Sequence, residues 1–129
     1  MITPMRTLDL ETEFKRLEDL IVNSGTFFLA GHLNPDGDTI GSMLAIASVL
    51  KRLGRKVRMF SQDPVPENLR FLPNTKSIYS RLPSSSARFD AAILLECSNP
   101  ARGGNLGPAL KRAAKVVNID HHKTSEFYG

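Results

Sequence analysis

The sequence predicts an α/β domain, a doubly wound and mainly parallel sheet flanked by helices. Three observations lead there. First, TFFLAGH (26–32), TIGSMLAIASVLKRLG (39–54) and KVRMFS (56–61) alternate a β-rich run, a run with helical apolar spacing and a second β-rich run. That order is a β-α-β unit, which requires parallel strands and a right-handed crossover. Second, FDAAILLECS (89–98) is almost continuously apolar, as a strand covered on both faces must be. Third, polar residues able to do chemistry follow three of the predicted strands.

The elements read in order as follows. LDLETEFKRLEDLIVNSG (8–25) has Leu8, Leu10, Phe14, Leu17, Leu20 and Ile21 near helical spacing, with Gly25 as its stop. The first strand follows, then the polar loop LNPDGD, whose Asp38 is placed to cap the next helix. That helix carries Ile40, Met43, Leu44, Ala47, Leu50 and Leu53 on one spacing and ends at Gly54. After the second strand, QDPVPENLRFLPN (62–74) is a proline-punctuated loop with one helical turn, and SIYS (77–80) is a short strand. RLPSSSAR (81–88) is a loop, GNLGPALKRAA (104–114) a short helix, and KVVNIDHH (115–122) a strand ending in polar residues.

Composition narrows the class. The 129 residues suffice for one compact domain, 41% apolar and 23% charged, as in an ordinary soluble chain. No apolar run approaches the ~20 residues that cross a bilayer. MITPMRTLDLETEFKRLEDL carries acids and lacks a signal-peptide core, so a cytoplasmic location is expected, without membrane attachment. The single cysteine, Cys97, excludes an internal disulfide; it reads as a small buried residue at a strand end. Net charge is +4, and five of the 17 basic residues lie between Lys51 and Arg58. Such a balance favours polyanionic partners, nucleotide or short RNA or DNA. The plainer account of that patch is a solvated helix end whose cations complement the helix dipole.

In parallel α/β sheets, ligands gather beyond the carboxyl ends of the strands. His32, Asp36 and Asp38 follow the first strand, Glu96 follows the apolar strand, and Asp120, His121 and His122 follow the last. All three histidines of the chain are in this set. Carboxylates this dense repel one another unless a cation lies between them. Imidazole with carboxylate oxygen suits Mn²⁺, Fe²⁺, Zn²⁺ or Mg²⁺. There are more carboxylates than one structural zinc uses. Two ions about 3.5–4 Å apart, sharing a bridging carboxylate and activating a water, are the economical solution. Each cluster alone has an ordinary explanation, NPDGD as a turn and His121-His122 as a strand end. Three clusters on one edge are harder to explain so.

GHLNPDGDTIGS and NIDHH resemble motifs I and III of the DHH phosphoesterase superfamily, and DPVPENLRFLP resembles the segment between motifs in its nanoRNase branch, the bifunctional oligoribonucleases and pAp phosphatases. The resemblance runs from about Thr26 to Gly129. It implies a Rossmann-like DHH domain, with residues 1–25 as a leading helix and 26–129 as the motif-bearing core. It implies His32 and Asp36 as ligands of one ion, Asp38 and His121 as ligands of a second, and Glu96 as the bridge. The ions would be Mn²⁺, with Mg²⁺ or another divalent cation as alternative. His122 would contact the substrate phosphate, Asp120 would support the cluster, Arg102 would keep the branch's arginine, and Gly41-Ser42 would offer backbone N–H groups to an anion.

Two departures stand out. Glu96 occupies a place where the family has aspartate, one methylene shorter, and Asn99 one where the branch often has an acid. The chain also stops seven residues after His122. The family continues to a fourth motif and a C-terminal DHHA1 domain, so the resemblance implies the N-terminal part of a longer, two-domain protein, in a branch whose members are often homodimers. The expected activity is hydrolysis of phosphate esters in short oligoribonucleotides or 3′-phosphoadenosine-5′-phosphate. Alternatives within the family are a cyclic-dinucleotide phosphodiesterase, a single-strand exonuclease and a manganese pyrophosphatase. Outside catalysis, a nucleotide-binding domain with a degraded metal site is the rival. A dinucleotide-binding fold is disfavoured, since the first loop lacks G-x-G-x-x-G.

Overall fold

The structure, a computed structural model, describes residues 9–97 and 100–120. The elements are α1 (Leu10–Asn23), β1 (Thr26–Gly31), α2 (Gly37–Arg52), β2 (Lys56–Phe60), β3 (Ile78–Tyr79), β4 (Phe89–Leu95), α3 (Gly107–Leu110) and β5 (Ala113–Ile119). The five strands form one sheet in the order β3-β2-β1-β4-β5, and every pairing is parallel. The α/β reading therefore holds. The chain winds outward from β1 through β2 to β3, then returns to the other side of β1 with β4 and β5. That reversal puts a topological switch point between β1 and β4.

Both faces of the sheet are covered. On one, Met43, Ala47 and Leu50 of α2 pack on Phe27, Leu29, Met59, Ala91, Ile93 and Leu95. On the other, Leu106 and Ala109, at and in α3, pack with Cys97 on Phe28, Ala30, Phe60, Ala92 and Leu94. This explains the unbroken apolar run of β4, where Ala91 through Leu95 are all buried. Each large aliphatic or aromatic side chain so buried contributes about 1.5–3 kcal/mol. Phe28 anchors the second face, with ring centroids 5.9 Å from Phe60 and 5.4 Å from Phe89. Cys97 is fully buried, as its place at a strand end suggested. Helix α1 is peripheral. Leu20 and Ile21 lie against the first face, while Leu10 and Phe14 stay exposed.

Three local expectations are corrected. Gly25 does not end α1: the helix stops at Asn23, Ser24 is extended, and the Gly25 N–H donates to the Asp90 carboxylate at 2.7 Å. Helix α2 begins at Gly37, three residues before Ile40, where the apolar spacing starts, and its N-cap is Asp36 rather than Asp38. Helix α3 is a single turn, and Ala113 and Ala114 belong to β5, since Ala113 pairs with Phe89 of β4. Ladder pairing outweighs alanine's helix preference there. Gly54, at φ +78°, does punctuate the end of α2. The basic patch is divided. Lys51 and Arg52 sit in the last turn of α2. Arg55 donates to Ile21 O and Val22 O, closing the end of α1. The Arg58 guanidinium stacks 3.9 Å over the Tyr79 ring. No helix among the described residues is long and apolar enough to cross a membrane.

Candidate functional site

Sheet register lines up the predicted edge. Gly31 pairs with Leu95, and Leu95 pairs with Ile119. The residues one step beyond, His32, Glu96 and Asp120, therefore leave the sheet in one row, at spacings of about 4.8 Å between neighbouring strands. The Glu96 N–H extends the ladder by donating to Ile119 O at 2.9 Å. Three separate parts of the sequence thus reach one edge across the switch point. His121 and His122 follow Asp120 directly but lie outside the described residues.

In the first turn of α2, Thr39 joins two of the predicted ligands, His32 and Asp36. Its side chain is fully buried. Asp36 Oδ1 accepts the Thr39 N–H at 2.9 Å and the Thr39 hydroxyl at 3.0 Å. The same hydroxyl oxygen lies 2.8 Å from His32 Nε2. His32 Nδ1 faces Leu33 O at 2.5 Å, and Nε2 faces Asp36 Oδ2 at 3.7 Å. A carbonyl can only accept, so Nδ1 carries the proton. The Thr39 hydroxyl has a single hydrogen, so it donates either to the Nε2 lone pair of a neutral His32 or to Asp36 Oδ1; in the second case Nε2 is protonated and donates to the hydroxyl oxygen. A histidine that ligates a metal is oriented in this way, donating its other N–H to a carbonyl. The His32 ring is mostly buried and the Asp36 carboxylate is 64% exposed. The Thr39 backbone N–H above all, and the Thr39 hydroxyl and His32 charge with it, hold the Asp36 carboxyl below its ordinary value of 3.8, against a raising effect of burial. Asp36 therefore remains anionic well into the acid range.

The approach of these residues depends on Gly31. A Cβ there would collide with Thr39 Cγ2. The backbone is also unusual on both sides of the switch point. Asn34 has φ +54° and Glu96 φ +55°, left-handed values that cost energy in any residue but glycine. Asp38 is exposed in the first turn of α2, where its charge complements the helix dipole. Arg102 lies at the same edge, its carbonyl accepting the Leu33 N–H at 2.5 Å. Gly41 and Ser42 are placed differently from expectation. Because α2 begins at Gly37, they fall in its second turn, where backbone N–H groups are taken up by the helix ladder. The first-turn amides belong to Gly37, Asp38 and Thr39, and Thr39's is occupied by Asp36.

The donor set fits a divalent cation in kind: imidazole with one ring nitrogen directed away from its carbonyl partner, beside a carboxylate that stays ionised. Among the described residues no three of His, Cys, Asp and Glu converge closely enough to hold an ion. Sequence reasoning missed Thr39 and Asp63. Thr39 had a signal, since it stands three residues after Asp36, where an N-cap side chain finds its N–H. Asp63, which accepts the Asn34 N–H at 2.7 Å, opens the DPVPENLRFLP segment, but nothing in that segment marks it as a partner of the β1–α2 loop.

A parallel sheet with an imidazole and carboxylates along its switch-point edge defines a class, the doubly wound α/β proteins whose sites are built from strand-end loops. Within that class the chain belongs to the DHH family: it matches the family's N-terminal domain over residues 26–128. It is 36% identical over 109 residues to a bifunctional oligoribonuclease and PAP phosphatase from Thermus thermophilus, covering 81% of this chain and 30% of that protein. A protein of the same name from Bacillus subtilis is 24% identical over 104 residues, covering 81% and 31%. The chain thus spans under a third of the length of these curated relatives. In fold it resembles the crystal structure of an exopolyphosphatase-related protein from Bacteroides fragilis, with a TM-score of 0.81 at 19% identity, covering 95% of this chain and 38% of that one.

Proposed function

We propose that this chain carries the ion-binding part of a phosphoesterase acting on short oligoribonucleotides, 3′-phosphoadenosine-5′-phosphate or both. The observation that carries the reading is the His32–Thr39–Asp36 constellation at the switch point, in a family whose relatives here are named oligoribonuclease and PAP phosphatase. His32 and Asp36 would hold one divalent ion, Asp38 and His121 a second, and Glu96 would bridge them. Mn²⁺ suits this mixture of nitrogen and oxygen donors, with Mg²⁺ as the alternative. Such a pair, when bound, lowers the pKa of water and neutralises charge developing on phosphorus.

The protein's own groups supply the rest. Nδ1–H donation to Leu33 O fixes the His32 ring, so its ordering is complete before an ion arrives. Thr39 holds the Asp36 carboxyl ionised and turned toward His32. In this reading the Arg102 guanidinium grips a phosphate oxygen, and His122 steadies the transferred phosphoryl group and moves a proton at its ring nitrogen. Asp120 would support the cluster. Work in the cytoplasm, where thiols stay reduced, agrees with a lone buried Cys97.

The test uses the longer protein of which this chain is read as the N-terminal part, since the 129 residues alone are expected to turn over little or nothing: phosphate release from 3′-phosphoadenosine-5′-phosphate and cleavage of a dinucleotide, with and without Mn²⁺, beside a calorimetric Mn²⁺ titration. Turnover that needs Mn²⁺ and vanishes in Asp36→Ala is the expected result. Metal-independent, salt-sensitive nucleotide binding without turnover would replace the enzyme by a binding domain.

A further inference from the structure

Directly beyond β2 the chain runs Ser61, Gln62, Asp63, and these residues tie neighbouring strand-end loops together. The Ser61 N–H donates to Tyr79 O at 2.9 Å, and its hydroxyl donates to Asp63 O at 2.6 Å, which sets the direction of the turn. Ser61 is buried, so this anchor is firm. Gln62 Oε1 accepts the Asn105 N–H at 2.8 Å, holding the segment that leads into α3. Asp63 Oδ2 reaches the other way and accepts the Asn34 N–H at 2.7 Å. Asn34 is the left-handed residue of the β1–α2 loop, two positions before Asp36. Its neighbour Leu33 is held from the opposite flank by Arg102 O.

We propose that Asp63 is a positioning residue for this loop. By accepting the Asn34 N–H it stabilises the left-handed turn there, and that turn sets the angle at which the chain enters α2 and brings Asp36 to His32. The role rests on the ion-binding reading above only for its consequence; the loop geometry is a separate matter. What the contact needs is an acceptor oxygen 2.7 Å from an amide, not a negative charge. Asparagine at position 63 keeps such an oxygen, and alanine does not. A residue acting through its charge would lose its effect in both.

The experiment compares the full chain with Asp63→Asn and Asp63→Ala by calorimetric Mn²⁺ titration and by amide NMR, following the Asn34 N–H. Expected is an Asn variant within about threefold of wild type and an Ala variant weaker by about ten- to a hundredfold, the range for supporting groups around metal ligands. The Asn34 amide proton should resonate downfield in wild type and Asp63→Asn, and move upfield in Asp63→Ala. Unchanged Mn²⁺ affinity in Asp63→Ala, or equal losses in both variants, would overturn the proposal. If wild type binds no Mn²⁺, the ion-binding reading fails by itself and the Asn34 signal decides. An unmoved signal in Asp63→Ala overturns the positioning role; a moved one upholds it. Should the alanine chain not fold, Asp63→Ser, whose hydroxyl is too short to reach, is read in the same way.

Discussion

Replacing Asp36 by serine separates two jobs that the aspartate does at once. It caps α2 by accepting the Thr39 N–H, and it offers a carboxylate beside His32. Serine retains an oxygen that reaches a cap N–H but is no anionic ligand; alanine retains neither. The side chain is 64% exposed, so little apolar burial is lost in either variant. What alanine removes is the cap, worth about 1 kcal/mol, and a charge at the positive end of the helix dipole, worth about 0.3–1 kcal/mol at an exposed site. Asp36→Ala should therefore lose about 1.5 kcal/mol and Asp36→Ser about 0.5 kcal/mol. In a chain of this size those losses lower Tm by about 5 °C and about 2 °C. Mn²⁺ affinity should collapse in both.

Thermal unfolding followed by circular dichroism, beside calorimetric Mn²⁺ titration, reads the two jobs independently. A serine variant that melts as low as alanine would refute the capping account. A serine variant that still binds Mn²⁺ like wild type would remove Asp36 from the ligand set. Equal stability of all three chains would mean that the Thr39 contacts are too mobile in solution to hold the loop.

Gly31→Ala should cost about 1–3 kcal/mol in urea unfolding, because its Cβ collides with buried Thr39 and meets Leu95 O at 3.5 Å; Mn²⁺ affinity should fall with it as Thr39 is pushed off His32 and Asp36. Ile93→Ala, in the middle of β4 and 1% exposed, should cost about 2–5 kcal/mol, whereas Ile93→Val should cost about 0.5–1.5 kcal/mol by the same assay. Asp90 accepts the N–H of Gly25 at 2.7 Å and of Thr26 at 3.2 Å, and the first of these above all holds its carboxyl below the ordinary 3.8. A lowered folded value means that its stabilisation is complete above the unfolded value and is lost as pH falls through the folded one. The stability gap between wild type and Asp90→Asn should accordingly close in acid unfolding series; a gap that widened there would contradict the linkage.

The strands were legible because period and composition agree with burial. FDAAILLECS reads as a two-faced strand, and β4 is one. What sequence reading missed lies in contacts between distant positions. Gly25 looked like a helix stop, yet its N–H is taken by Asp90, 65 residues on. Asp36 and Asp38 are equally good caps by type, and only the position of Thr39 selects the first. Ala113 and Ala114 favour helix locally and are drawn into β5 by pairing with β4. Asp63 grips Asn34 across 29 residues, a tie that no local pattern announces.

The candidate site was partly legible for a different reason. The rule that ligands collect at strand ends needs only the strand directions, and the β-α-β pattern supplies those. It placed His32, Glu96 and Asp120 on one edge before any register was known, and the pairing of Gly31, Leu95 and Ile119 sets them in one row. The rule is silent about backbone shape. Asn34 and Glu96 flank the switch point, each left-handed, one in the loop after β1 and the other at the end of β4. Asparagine tolerates that conformation through its short polar side chain, and glutamate has no such help. Holding Glu96 there requires the contacts around it, beginning with its N–H on Ile119 O. The longer carboxylate thus leaves the sheet from a bent backbone rather than an extended one. Its reach along the edge is set by that bend together with its extra methylene, so side-chain length alone does not fix where the Glu96 carboxylate stands.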